Sequence, residues 1–108
     1  MNDSGSGSVG AVPATVTSAP TALNGWYLFN PNATPVYLQI FDAKSLDAVI
    51  VGQTKPTLSF GIPAGSAANA PADCLRDFIN GIVIACTLTR AGNGAPASTL
   101  DWNLFFCS

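Results

Sequence analysis

The sequence predicts an all-β fold: an antiparallel β-sandwich or small β-barrel of six or seven short strands, with at most one short helix. Segments in which apolar and polar residues alternate recur at spacings of roughly 10–20 residues, each bounded by Gly, Pro, Asn or Asp. Helical periodicity is confined to the single stretch Ala72–Ile79. The 108 residues suffice for one hydrophobic core and not for two. The expected organisation is a flexible, extended N-terminal arm over residues 1–22 and one β-domain over residues 23–108.

Residues 1–8 have the Gly/Ser/Asn/Asp composition of a linker and read as flexible. Residues 9–22 mix small apolar residues with Thr around Pro13 and Pro20. Proline limits such a segment to an edge strand or an extended arm, lying across its own sheet or across a neighbouring molecule. Asn24-Gly25 reads as a turn. Trp26–Phe29 is a strand, and Asn30–Pro35 is a loop of turn-forming residues. Val36–Phe41 alternates, with Val36, Leu38 and Ile40 on one face and Tyr37, Gln39 and Phe41 on the other. After a turn at Asp42–Ser45, Ala48–Val51 reads as a short strand ended by Gly52.

Thr57–Ile62 turns Leu58, Phe60 and Ile62 inward, and Pro63–Pro71 is a small-residue loop. Within Ala72–Ile79, Asp73 stands at an N-cap position and Asn80-Gly81 stops the helix after one or two turns. Ile82–Thr89 is the strongest strand. Gly92-Asn93-Gly94 suits positive φ in a hairpin better than phosphate binding. Leu100–Cys107 closes the chain, with Trp102, Leu104 and Phe106 on one face and Asp101, Asn103 and Phe105 on the other. A strand apolar on both faces is expected either at the centre of the fold or under a partner, which makes Phe105 a candidate contact residue.

Composition argues against most chemistry. Charged residues make up 9% of the chain, the net charge is −2, and there is neither His nor Glu. The commonest general base and metal ligand is therefore missing, and an enzyme is not expected. No catalytic, cofactor-binding or metal-ligating set is expected either. No basic patch exists for nucleic acid or an anionic membrane. The longest strongly apolar run, Ile82–Cys86, is far shorter than a spanning helix requires. The N-terminus has no signal-peptide pattern, so synthesis and folding are expected in the cytoplasm.

Asp73 and Asp77, and Asp42 and Asp47, read as caps and solvated surface charges. Cys74, Cys86 and Cys107 lack metal-ligand spacing and read as reduced, apolar-like thiols, with a Cys74–Cys107 or Cys86–Cys107 disulfide as the alternative. Trp26, Tyr27, Tyr37 and Trp102 read as core or interface rings, with a sugar-stacking platform as the alternative. A surface rich in Ser, Thr and Asn but poor in charge favours association. The residues Val9, Val12 and Val16, together with Phe105, are the expected contacts with a partner or a second subunit, the first three by strand addition from the arm.

The segments YLFNPNATPVYLQIFDA and VGQTKPTLSFGIPAG, within residues 26–65, resemble small structural proteins of tailed bacteriophages. In that group a strand ending in Asn-Pro/Ser-Asn leads to a PVYLKLYD-like strand and then a VGTTxPxxxxxIPAG-like segment. Asn80–Ala85 and Asn103–Phe106 resemble its later strands. The resemblance runs from Asn24 to the end, while Ala72–Ile79 and the three cysteines depart from it. It implies a virion component, a capsid decoration (cement) protein on the outer surface of the head, made in the host cytoplasm. The implied partners are the major capsid protein and further copies of itself, a trimer in preference to a dimer. The alternative function is a head-fibre or tail-associated module that recognises host-surface glycans.

Overall fold

The computed structural model of the chain describes residues 2–70 and 76–107. Among these, nine strands form two antiparallel sheets, with a single 3-10 turn at Leu46–Ala48. The strands are β1 (Asn2–Val9), β2 (Ala14–Thr17), β3 (Thr21–Phe29), β4 (Val36–Asp42), β5 (Leu58–Ile62), β6 (Ala67–Ala70), β7 (Arg76–Phe78), β8 (Ile82–Thr87) and β9 (Leu100–Cys107). One sheet has the order β1-β9-β3-β6, with β7 sharing the β6 side of β3; the other has the order β2-β8-β4-β5. The fold is thus the all-β sandwich that the alternation predicts.

The period-two pattern places the core. Val36, Leu38 and Ile40 of β4, Ile82, Ile84 and Cys86 of β8, Ile62 of β5, and Leu100, Leu104 and Phe106 of β9 meet between the sheets. Each such side chain contributes about 1.5–3 kcal/mol by leaving water. Trp26 stacks on Phe60 across the sheets, with ring centroids 4.4 Å apart. β9 lies between β1 and β3, which pairs both of its edges, while its inner residues Leu100, Leu104 and Phe106 are buried and the outer Phe105 is half-buried.

Several expectations are corrected. Asn2–Val9 is a strand in unbroken register with β9, from Asn2 opposite Cys107 to Val9 opposite Leu100. Its Ser-Gly alternation places Gly5 and Gly7 under the Trp102 indole, a fit that linker-like composition hides. The arm boundary at residue 22 falls inside β3. Asn24-Gly25 makes no turn; the register with β9 shifts between Leu23 and Gly25, a bulge in mid-strand. Ala48–Val51 is not a strand, because the chain takes a 3-10 turn there and folds Val49 and Val51 onto β4 and β8. The Pro63–Pro71 loop contains β6. Of the expected helix, residues 72–75 lie outside the described residues, and Arg76–Phe78 pairs with β3 as a strand that buries Phe78. Gly92 and Gly94 do not take positive φ; Gly52, Gly65 and Gly81 do.

One end of the sandwich is tied by Asn30-Pro31-Asn32. Asn30 is fully buried, and its Nδ2 donates to the carbonyls of Thr34, Ile62 and Pro63 at 3.0, 3.2 and 3.1 Å. Its Oδ1 accepts from the backbone N–H and the Nδ2 of Asn32, both at 2.9 Å. Asn32 in turn donates to the Ser98 carbonyl and accepts from the Ser98 N–H. The carbonyl of Asn32 also accepts from Gly65, whose φ of 60 closes the Pro63–Ser66 turn. Two asparagines thereby fix three loops, and the Asn-Pro-Asn and Ile-Pro-Ala-Gly motifs prove to be halves of one clamp.

Candidate interaction surface

The outer faces of the two sheets differ. Over the β4–β8 sheet, Phe41, Val83 and Ala85 are buried beneath Ala43, Val49 and Val51, a small second core roofed by the β4–β5 loop. Beside it, the fully buried Gln39 donates through Nε2 to Thr87 Oγ1 at 2.7 Å and to the Gly92 carbonyl at 3.0 Å, which holds the β8–β9 loop down. The protein itself covers this face.

Among the described residues, the outer face of the β9–β3 sheet has no such roof. Register aligns Ser6, Asn103, Tyr27 and Asn69 across β1, β9, β3 and β6, and next to them Ser8, Asp101, Phe29 and Ala67. Phe105 stands between Ser4 and Gly25. Tyr27 is 50% exposed and Phe29 37%. The one charge in these two rows is Asp101. Asn103 Oδ1 is buried, with no hydrogen-bond partner among the described residues. Such an atom typically costs about 1–3 kcal/mol. The result is a flat surface of aromatic rings, amides and hydroxyls, a composition suited to protein or glycan contact.

The expected contact residues separate in space. Val9 is 3% exposed and belongs to the core, and Val16 packs half-buried against that core. Both lie on segments that pair internally, with β9 and β8 respectively, so neither offers an apolar stripe to a neighbour. Val12, in the β1–β2 loop, is 81% exposed. Phe105 alone lies on the open face, half-buried. Tyr27, one of the expected core or interface rings, joins Phe29, which the sequence does not mark as a contact, on this face. Their signal is the alternation of Trp26–Phe29, which sets Trp26 and Leu28 on the inner face and Tyr27 and Phe29 on the outer one.

The four rings of the expected sugar platform do not share a surface. Trp26 and Trp102 pack toward the core, Tyr27 faces out from β3, and Tyr37 lies against Gly61 on the other sheet. Asp42 is a cap, its carboxylate accepting from the N–H groups of Ile79 and Asn80 at 3.1 and 2.8 Å. Asp47 sits on the 3-10 turn and Asp77 is exposed on β7, while Asp73 lies outside the described residues. No cluster of three or more metal-ligating side chains occurs among the described residues. Cys86 and Cys107 are free thiols, and Cys74 lies outside the described residues. Burial pushes the Cys86 thiol up to about 11. Among the described residues, no helix is long and apolar enough to cross a membrane.

No family model matches the sequence, and none of the curated proteins does. Among solved structures, the fold is similar to a chain from Bacillus endospore appendages, described as a novel family of disulfide-linked pili. The TM-score is 0.47 at 10% identity, covering 100% of this chain and 85% of that one.

Proposed function

We propose that the chain is a bacteriophage virion structural protein, a capsid decoration (cement) protein that binds the outer surface of the head as a homo-oligomer and stabilises it. The observation that carries this reading is the unroofed β9–β3 face, with Tyr27, Phe29 and Phe105 set among uncharged polar groups. The resemblance of the Asn-Pro-Asn, Pro-Val-Tyr-Leu and Ile-Pro-Ala-Gly segments to phage structural proteins supplies the setting. Strand spacings give four strands an outer face of roughly 400 Å². A stable pairwise interface takes about 800 Å² from each partner. A face of this size suits a contact repeated across a lattice, where many weak attachments act together.

The test adds purified protein to heads that lack it and measures co-sedimentation. Wild-type protein is expected to saturate the lattice, and Tyr27→Asp with Phe29→Asp to abolish binding while leaving the melting temperature unchanged. Undiminished binding by the double variant overturns this role for the face.

The second reading, a glycan-binding head-fibre or tail module, draws on one feature, the exposed Tyr27 ring aligned with Asn103 and Asn69. It predicts glycan-array signals that disappear in Tyr27→Ala and survive in Trp26→Phe.

A further inference from the structure

A groove of about 300 Å³ runs along β5, on the opposite sheet from the open face. Lys55, Thr57, Leu58, Ser59, Phe60 and Arg90 line it. Among the described residues β5 pairs with β4 alone, so its other edge is unpaired, and the groove is lined along the strand by consecutive residues from Lys55 to Phe60. The strand's alternation gives the two flanks different chemistry. Leu58 and Phe60 point toward the core side and remain half-buried, whereas Ser59 points outward and donates through Oγ to the Arg90 carbonyl at 2.8 Å. That bond anchors the β8–β9 loop beside the edge through its backbone and leaves the guanidinium uninvolved.

Charge is concentrated here. The chain has four cationic side chains in all, and two of them, Lys55 and Arg90, border this one groove on a molecule of net charge −2. The acid next to this region is engaged elsewhere. Asp42 donates its backbone N–H to Thr57 Oγ1 at 3.2 Å, but its carboxylate caps Ile79 and Asn80. The other edges lack this combination: β1 presents Ser and Gly, β2 is four residues long with an irregular register, and β6 and β7 have four and three residues.

We propose that the β5 edge is a strand-addition site for an extended acidic segment of a partner protein. The incoming strand hydrogen-bonds to the free edge of β5. Alternate side chains meet Leu58 and Phe60 on one flank, and the carboxylates between them meet Lys55 and Arg90 on the other. Recognition is of an alternating apolar-acidic segment, and this site is independent of the virion reading above.

The test measures binding of a capped heptapeptide alternating Val and Asp, by amide chemical-shift titration of the full chain, against the same peptide with Asn for Asp. The Asp peptide is expected to bind about tenfold more tightly, a difference of 1.4 kcal/mol, and to shift the amides of Leu58–Ile62 first. The double variant Lys55→Glu, Arg90→Glu, both exposed positions, is expected to fold as wild type and to lose that preference. Equal affinity for the two peptides, a preference that survives charge reversal, shifts centred away from β5, or no binding at millimolar peptide overturns the proposal.

Discussion

Gly7 of β1 and Trp102 of β9 stand opposite each other, and the Trp102 indole fills the space that a Gly7 side chain would claim. A Cβ on Gly7 would lie 3.4 Å from the indole Nε1, and one on Gly5 would lie 3.3 Å from the far edge of the ring. The strand that looks like a linker is therefore shaped to its neighbour. Replacing Gly5 with Val is expected to displace the indole and destabilise the fold by about 1–3 kcal/mol. Urea unfolding followed by tryptophan fluorescence measures this; an unchanged midpoint and spectrum would show that β1 does not pack on Trp102.

The asparagine clamp predicts a large effect from a small change. Asn30→Ala removes the two Nδ2 hydrogens shared among the Thr34, Ile62 and Pro63 carbonyls and the acceptor of two further hydrogen bonds, all at a buried site. A loss of about 3 kcal/mol is expected, or a fall in Tm of at least about 12 °C at 4–8 °C per kcal/mol. Calorimetry reads it directly. Asn30→Asp, which keeps the shape and loses the donors, is expected to be no better than Ala.

Gly81 joins β7 to β8 with φ of +151, and a Cβ there would meet the Thr17 and Ala43 carbonyls at 2.5 and 2.8 Å. Both are backbone atoms and cannot swing aside. Gly81→Ala is expected to cost more than about 2 kcal/mol, visible as a lower denaturation midpoint with an unchanged m-value.

Cys86 gives a pH signature. Its buried thiol has a pKa raised from 9.0 to about 11, so between those values the unfolded chain has lost a proton that the folded chain keeps. Stability from this group is complete below about pH 9 and falls as pH rises toward 11, at up to about 1.4 kcal/mol per pH unit. Wild type minus Cys86→Ala, measured by urea unfolding across pH 8–11, isolates the effect from tyrosine and lysine titration. A difference that stays flat over this range would contradict a thiol held in a dry core.

Much of the fold was legible because burial and strand period coincide. Val36–Phe41, Thr57–Ile62, Ile82–Thr89 and Leu100–Cys107 each alternate or run apolar in the sequence, and each contains a strand, with Leu58, Phe60 and Ile62 turned toward the core as expected. The misreadings share one cause: partners distant in sequence. Ser4–Val9 has period two, but its inner positions are glycines whose meaning lies in Trp102, some ninety-five residues on. Asn24-Gly25 reads as a turn until β9 is seen to hold it straight. Val9 and Val16 looked available because nothing local covers them, whereas β9 and β8 do. The open face was half legible: Phe105 stood out, while Tyr27 and Phe29 needed the register with Asn103 and Asp101 to become one surface.

Quantitative mass spectrometry of purified virions, counting copies of this chain against the major capsid protein, addresses the proposed function most directly. A lattice-covering decoration protein is expected at hundreds of copies per particle. Absence from the particle would contradict a virion role, and a dozen copies or fewer would contradict a lattice contact through the Tyr27–Phe29 face and assign the chain to a vertex, neck, tail or fibre.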